Sequence, residues 1–183
     1  MINASEFSNK MQNYISPHFI SWLMENGFFN APASTKYHGN VEGGLYQHSE
    51  AVMDVLVDFT NRGLISWEHP RSPYIIGMFH DLCKIDQYRH PEKGHIIDGS
   101  TVVDNSTWEY NPNTLYKGHG EKSVLLLSQF MSLTPEEVAC ITYHMGAFTD
   151  KEDWKYYSAA VEQYPTVLWT HTADMIASKI MKL

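Results

Sequence analysis

The sequence predicts an all-α protein, a helical bundle with one small irregular or β-hairpin insertion at about residues 87–118. Two observations predict it. Apolar residues recur at i, i+3, i+4 and i+7 in segment after segment, the spacing that turns one helix face toward a core. The stretch from Gln87 to Gly118 breaks that rhythm with Gly, Asn, Pro and aromatic residues and short β-like pieces (HIID, STVVD, TWEY).

Taken in order, Ser5 or Ser8 is placed to cap a first helix running through Met11, Tyr14 and Ile15, stopped near Pro17. A second apolar run, HFISWLMENGFF, ends at Gly27 as a C-cap. Residues Asn30 to Gly44 hold Pro32, Gly39, Gly43 and Gly44 and read as an ordered loop. In QHSEAVMDVLVDFTNRG, Val52, Val55, Leu56 and Phe59 share one helix face, and His48 falls on the same stripe. Pro73 opens PYIIGMFHDLCKID, apolar enough to be buried nearly all round. After the insertion, helix returns at GHGEKSVLLLSQFM. The next, LTPEEVACITYHMG, has Thr134 as N-cap, Pro135 at the first position and two glutamates near the positive helix end. The last helix runs from about Pro165 through WTHTADMIASKIM.

The chain has 183 residues and shows no internal repeat or linker, so a single domain over 1–183 is expected. A net charge of −8 argues against a broad basic surface for duplex DNA. Two cysteines, both in apolar helical runs, do not make a disulfide scaffold. No apolar stretch is long enough to span a bilayer, and MINASEFSNKMQ lacks the pattern of a signal peptide. A cytoplasmic protein with no membrane partner is expected.

Ten histidines are many for this length, and several sit where burial is costly. Asp81, beside His80, lies in an apolar helix, where a carboxylate needs a partner or a metal. Asp174, between Ala173 and Met175, poses the same problem. His48 and His144 fall on inward faces or helix ends. Imidazoles and carboxylates on separate helices can converge in a bundle core on a metal, and this mixed nitrogen and oxygen set suits Mn, Fe, Co, Ni, Zn or Mg. Lys84, three residues after Asp81 and four after His80, shares their helix face and is placed to hold a phosphate or protonate a leaving oxygen. A single histidine is more often a core or surface residue, and His18, His69, His90 and His95 are read that way.

The order H…HD…H…H…D, in PASTKYHGNVEGGLYQHS, FHDLCKID, GHGEKS, YHMGAF and HTADMIAS, resembles the HD superfamily of metal-dependent phosphohydrolases from about Pro32 to Lys179. It is similar to the HD domain of bacterial 3′–5′ exoribonucleases and to small HD proteins of phages and gut bacteria. The resemblance implies an HD-domain bundle with a metal-site core at about 32–179. It implies that His48, His80, Asp81 and Asp174 bind a first metal, and that Asp81 bridges to a second held by His119 and His144. Two such ions, about 3.5–4 Å apart, would activate water and clamp a phosphate. Cys83 stands at the glycine position of the family's HD-x-GK and reads as a small apolar residue.

The implied activity is hydrolysis of a phosphoester or phosphoanhydride of a nucleotide or short single-stranded nucleic acid, with one or two divalent ions as cofactor. Asp81 and Lys84 are the catalytic candidates. Lys84, His38, Arg89 and Lys122 are the substrate-binding candidates, although His38 can equally brace its loop and Lys122 can be a solvated charge. His171 is placed to pack beside Asp174. Tyr88, Arg89, Lys93, Trp108 and Tyr110 suit a base and its phosphates, or simply the packing of the insertion. The same superfamily implies an alternative, a mixed-valent di-iron oxygenase, and relatives commonly form homodimers. A non-catalytic module is disfavoured because all six ligand positions are filled.

Overall fold

The computed structural model describes residues 4–37, 39–91, 95–97, 100–102 and 107–183, with Ala4, 95–97 and 100–102 described by their backbone alone. Among them run eight α-helices: α1 Ala4–Met11, α2 Pro17–Glu25, α3 Gly44–Asn61, α4 Ser72–Phe79, α5 Gly120–Leu127, α6 Pro135–Tyr143, α7 Trp154–Gln163 and α8 Thr166–Met175. The all-α expectation holds, with a small insertion where the helical rhythm fails. That insertion carries β1 (Tyr88–Arg89), β2 (His95–Ile97), β3 (Ser100–Val102) and β4 (Glu109–Tyr110). β1 pairs antiparallel with β4, placing Tyr88 opposite Tyr110, and β2 pairs antiparallel with β3.

Local chemistry sets most helix ends. The Ser16 side chain accepts from the Phe19 amide at 3.2 Å, with Pro17 at the first helical position, so Pro17 starts α2. The first helix correspondingly ends at Met11 instead of continuing through Ile15, and Ser5 and Ser8 lie inside it and do not cap it. Gly27 takes φ +87° just past α2, a left-handed turn that costs a glycine little. Thr134 accepts from the Glu137 amide at 3.1 Å while the Glu137 carboxylate accepts from the Thr134 amide at 2.9 Å, a complete capping box on α6. Glu137 also takes Arg71 in a two-pronged pair, Nε and Nη2 each at 3.0 Å, which ties α6 to the start of α4.

The core is aromatic near the N-terminus of the chain and aliphatic toward α6 and α8. Phe19, Phe28 and Phe79 are fully buried, with Phe79 5.2 Å from Phe19 and 5.9 Å from Phe28 between ring centroids. Each such ring contributes roughly 1.5–3 kcal/mol by leaving water. Two glycines let helices approach closely enough to bring their ends together. A Cβ on Gly77 would meet the Met53 Cα at 2.3 Å, so α3 and α4 approach backbone to backbone. A Cβ on Gly120 would meet the Ile141 carbonyl at 2.4 Å, which seats α5 against α6.

Three further elements differ from the sequence reading. α4 stops at Phe79, and Leu82–Ile85 continue as a 3₁₀ turn, because Asp81 leaves helical geometry at φ −105°, ψ 18°. Lys84 therefore does not share an α-helical face with His80 and Asp81. α7 was not foreseen, although Tyr157, Ala160, Val161 and Tyr164 carry helical spacing and pack on the core. The last helix becomes a π-helical turn over Ile176–Met181 directly after Asp174's turn of α8.

Candidate metal centre

Five segments deliver six side chains to one place. His48 comes from the buried stripe of α3, where it is fully buried beside Val52 and Leu56. His80 and Asp81 stand at the break after α4. Adjacent residues diverge around an intact helix, and leaving the helix at Asp81 allows both to point inward. His119 precedes the first residue of α5, reached through Gly118 at φ +102°. His144 caps the C-terminus of α6, and Asp174 lies in the last turn of α8.

The side chains form two triads that share Asp81. In the first, His48 Nε2 is 3.3 Å from His80 Nε2, and the two lie 3.7 and 3.5 Å from Asp81 Oδ2. Asp174 Oδ1 closes this side at 3.1 Å from His48 Nε2. In the second, Asp81 Oδ1 lies 2.7 Å from His119 Nε2 and 3.4 Å from His144 Nε2. Within each triad the donor atoms are within 4.8 Å of one another, close enough to hold one ion.

The imidazoles are oriented from behind. His80 Nδ1 is 2.9 Å from the Gly77 carbonyl, His144 Nδ1 2.7 Å from the Ile141 carbonyl, and His48 Nδ1 3.1 Å from the Leu183 backbone oxygen. A carbonyl can only accept, so each Nδ1 carries the hydrogen and each Nε2 turns a lone pair inward. His119 Nδ1 lies 3.5 Å from Cys83 Sγ, which does the same task more weakly. His171 Nδ1 in turn donates to the His144 carbonyl at 2.8 Å, so it braces the end of α6. This backing is the usual arrangement behind metal-bound histidine.

Such a set fits a cation. The His48 and His80 lone pairs face each other and a carboxylate at contact distance, an arrangement that repels until a proton or metal ion lies between them. Asp81 Oδ1 and His144 Nε2 are buried and make no contact with hydrogen-bond geometry, which costs about 1–3 kcal/mol per group when nothing is bound. Burial alone would push the Asp81 carboxyl up, but Lys84, His80 and His119 outweigh it and hold it well below the usual carboxylate range. Asp174 is likewise lowered, with burial overcome by His48, His80 and His144. For His119 burial wins over Asp81, and its pKa falls, which favours the neutral ring a metal needs.

Lys84 is nearly buried, with Nζ 2.6 Å from Asp81 Oδ2, and the carboxylate raises its pKa against the opposing pull of burial. A cavity of about 340 Å³ opens over the cluster, with Asp81, Lys84, His119 and Asp174 in its lining. Of the other substrate candidates, Tyr88 and Tyr110 also line it, whereas Arg89, Trp108 and Lys122 do not. Lys122 is neither a solvated charge nor part of that lining: it is 3% exposed, pairs with Asp86, and borders a separate recess beside Lys117. Arg89 pairs with Glu109 across the β1–β4 ladder at 3.0 Å. Trp108 stacks on His90, centroids 3.8 Å apart. His38 and Lys93 fall outside the described residues. Sequence reasoning passed over Cys83 as a bland apolar position, and nothing in one residue's neighbours signals a contact made 36 positions away.

No protein-family model, curated protein or solved structure matches the chain. Among the described residues no helix is long and apolar enough to cross a membrane. What the cluster can do chemically therefore rests on its own geometry: a buried His/Asp group able to hold a divalent ion at the floor of an open cavity.

Proposed function

We propose that this chain is a metal-dependent phosphohydrolase of the HD type, acting on a phosphoester or phosphoanhydride of a nucleotide or short single-stranded nucleic acid. The observation that carries the reading is the convergence of His48, His80, Asp81, His119 and His144 into two triads sharing one carboxylate, with Asp174 beside His48, beneath a cavity with a lysine in its lining. In this reading His48, His80, Asp81 and Asp174 hold one ion, and Asp81, His119 and His144 hold a second. Divalent ions bound there supply the charge that acidifies water and polarises a phosphoryl oxygen.

The chain's own groups do the rest. Lys84 keeps its proton because Asp81 outweighs the pull of burial, so it meets a phosphoryl oxygen as a fixed positive charge. The backbone carbonyls behind His48, His80 and His144 hold the imidazoles in one tautomer, so no reorganisation is needed when the ligands engage. Asp81 and Asp174, both lowered, stay ionised throughout the neutral range.

The test is to purify the protein without added metal, measure its metal content, and assay nucleotides and bis-p-nitrophenyl phosphate with Mn, Co, Ni and Mg. Metal-dependent release of phosphate or nitrophenol, lost in Asp81→Ala, is the expected result. Full activity in that variant refutes the assignment of the site. Two tightly held irons with no phosphoester turnover would replace hydrolysis by the di-iron oxygenase reading.

A further inference from the structure

Among the described residues, the three most exposed Phe, Tyr or Trp side chains are Tyr37 (79%), Tyr110 (66%) and Phe148 (65%). Large rings left in water are ordinary when scattered singly. These three are not scattered, for all of them line the cavity above the metal cluster. They arrive there from unrelated parts of the chain. Tyr37 sits in the loop between α2 and α3, where its amide donates to Ser34 Oγ at 2.9 Å. Tyr110 stands on β4 opposite the half-buried Tyr88, ring centroids 5.3 Å apart, so the insertion presents a braced pair. Phe148 ends the 3₁₀ turn Gly146–Phe148 that follows His144.

The cavity is thus divided by chemistry. Its floor holds Asp81, Asp174, His119 and Lys84, and its mouth holds exposed rings. The wall between offers neutral groups, Ser34, Thr35, Gln87 and Ser178, with Lys179 as the other cation in the lining. About 340 Å³ lies at the lower end of what small-ligand sites enclose, room for one compact ligand unit.

We infer that Tyr37, Tyr110 and Phe148 form an aromatic collar that determines specificity, selecting a phosphoester whose organic part carries a planar ring over one that is purely aliphatic. The collar rests on the phosphohydrolase reading in one respect, that the phosphoryl group lies at the metal-side floor. With the phosphoryl group there, a ring carried by the phosphorus substituent extends toward the mouth, where the collar's rings can stack on it. Stacking of this kind needs no particular hydrogen-bond pattern, so the collar distinguishes ring from chain without distinguishing one ring from another.

Non-hydrolysable probes separate the collar from turnover. Phenylphosphonate and methylphosphonate are titrated by calorimetry into the Mn-loaded protein and into the double variant Tyr110→Ala/Phe148→Ala. Both side chains are exposed, so the variant should keep the wild-type melting temperature. The expected result is about tenfold tighter binding of phenylphosphonate by the wild type, shrinking to about twofold or less in the variant with methylphosphonate unchanged. Equal affinities in the wild type, or a ring preference that survives in the variant, overturns the collar. A ring preference with no turnover of any phosphoester would uphold the collar while refuting the phosphohydrolase.

Discussion

Metal binding at the shared carboxylate should be visible as thermal stability. A ligand that binds only the folded state at 100 times its Kd adds about 2.7 kcal/mol. For a chain of this size about 2–4 °C accompanies each kcal/mol, so saturating Mn should raise the melting temperature by roughly 5–11 °C. The informative perturbation removes Asp81, whose two oxygens face different triads. Taking Asp81 alone would leave the Lys84 ammonium buried without its partner, at a cost of about 3–5 kcal/mol. The double variant Asp81→Ala/Lys84→Met removes both charges and should stay close to wild-type stability without metal. In differential scanning calorimetry it should show no Mn-dependent shift. Asp174→Ala, which touches only the His48 side, should keep part of the shift. A double variant that gains as many degrees from Mn as the wild type would refute the assignment of Asp81 as the common ligand.

Three further outcomes follow from particular contacts. Gly146→Ala should cost about 1–3 kcal/mol and weaken Mn binding, measured by urea unfolding and metal titration: φ is +56° there, and the added Cβ would lie 2.5 Å from the His171 ring that braces His144. In metal-free protein, Asp81 and Asp174 titrate lower when folded than when unfolded. The stability they contribute is fully present above the unfolded value of about 3.9 and is lost as pH falls below it. The urea midpoint should therefore drop on acidification below about pH 4, and less steeply in Asp174→Asn. Burial pushes the Cys83 and Cys140 thiols up to about 12, so neither should react with a thiol reagent at pH 8 until the protein is denatured. A rapidly labelled native thiol would contradict that burial.

Much of this architecture is legible in the residues themselves. Thr134, Pro135 and Glu137 spell out the start of α6, and the capping box is present as spelled. The stripe Val52, Leu56 with His48 one turn earlier predicts an inward imidazole, and His48 is fully buried. His80–Asp81 and Asp174 stand out because charge in an apolar helix demands a partner. Nothing in GHGEKS sets His119 apart, and only the resemblance to HD phosphohydrolases points to it. The break after Phe79 is illegible because Ile76, Phe79, Leu82 and Cys83 keep helical apolar spacing across it, and local periodicity cannot register a helix ended by tertiary demand. Lys122 misleads for a similar reason: its partner Asp86 lies 36 positions away, beyond any helical spacing. The collar depends on a loop, a strand and a 3₁₀ turn meeting at one mouth, and although Tyr110 stands out in the insertion, that meeting resides in topology alone.

The supports behind the four imidazoles differ in how they can change over generations. His48, His80 and His144 lean on main-chain oxygens, which survive replacement of the side chain at Leu183, Gly77 or Ile141. His119 leans on a side chain, Cys83, at 3.5 Å. Three supports are thus insulated from drift, and one is heritable and adjustable. A change at position 83 to serine would offer a harder acceptor, and to glycine none at all. The electron richness of His119, and with it the grip of the second triad, can be retuned there without altering a single candidate ligand.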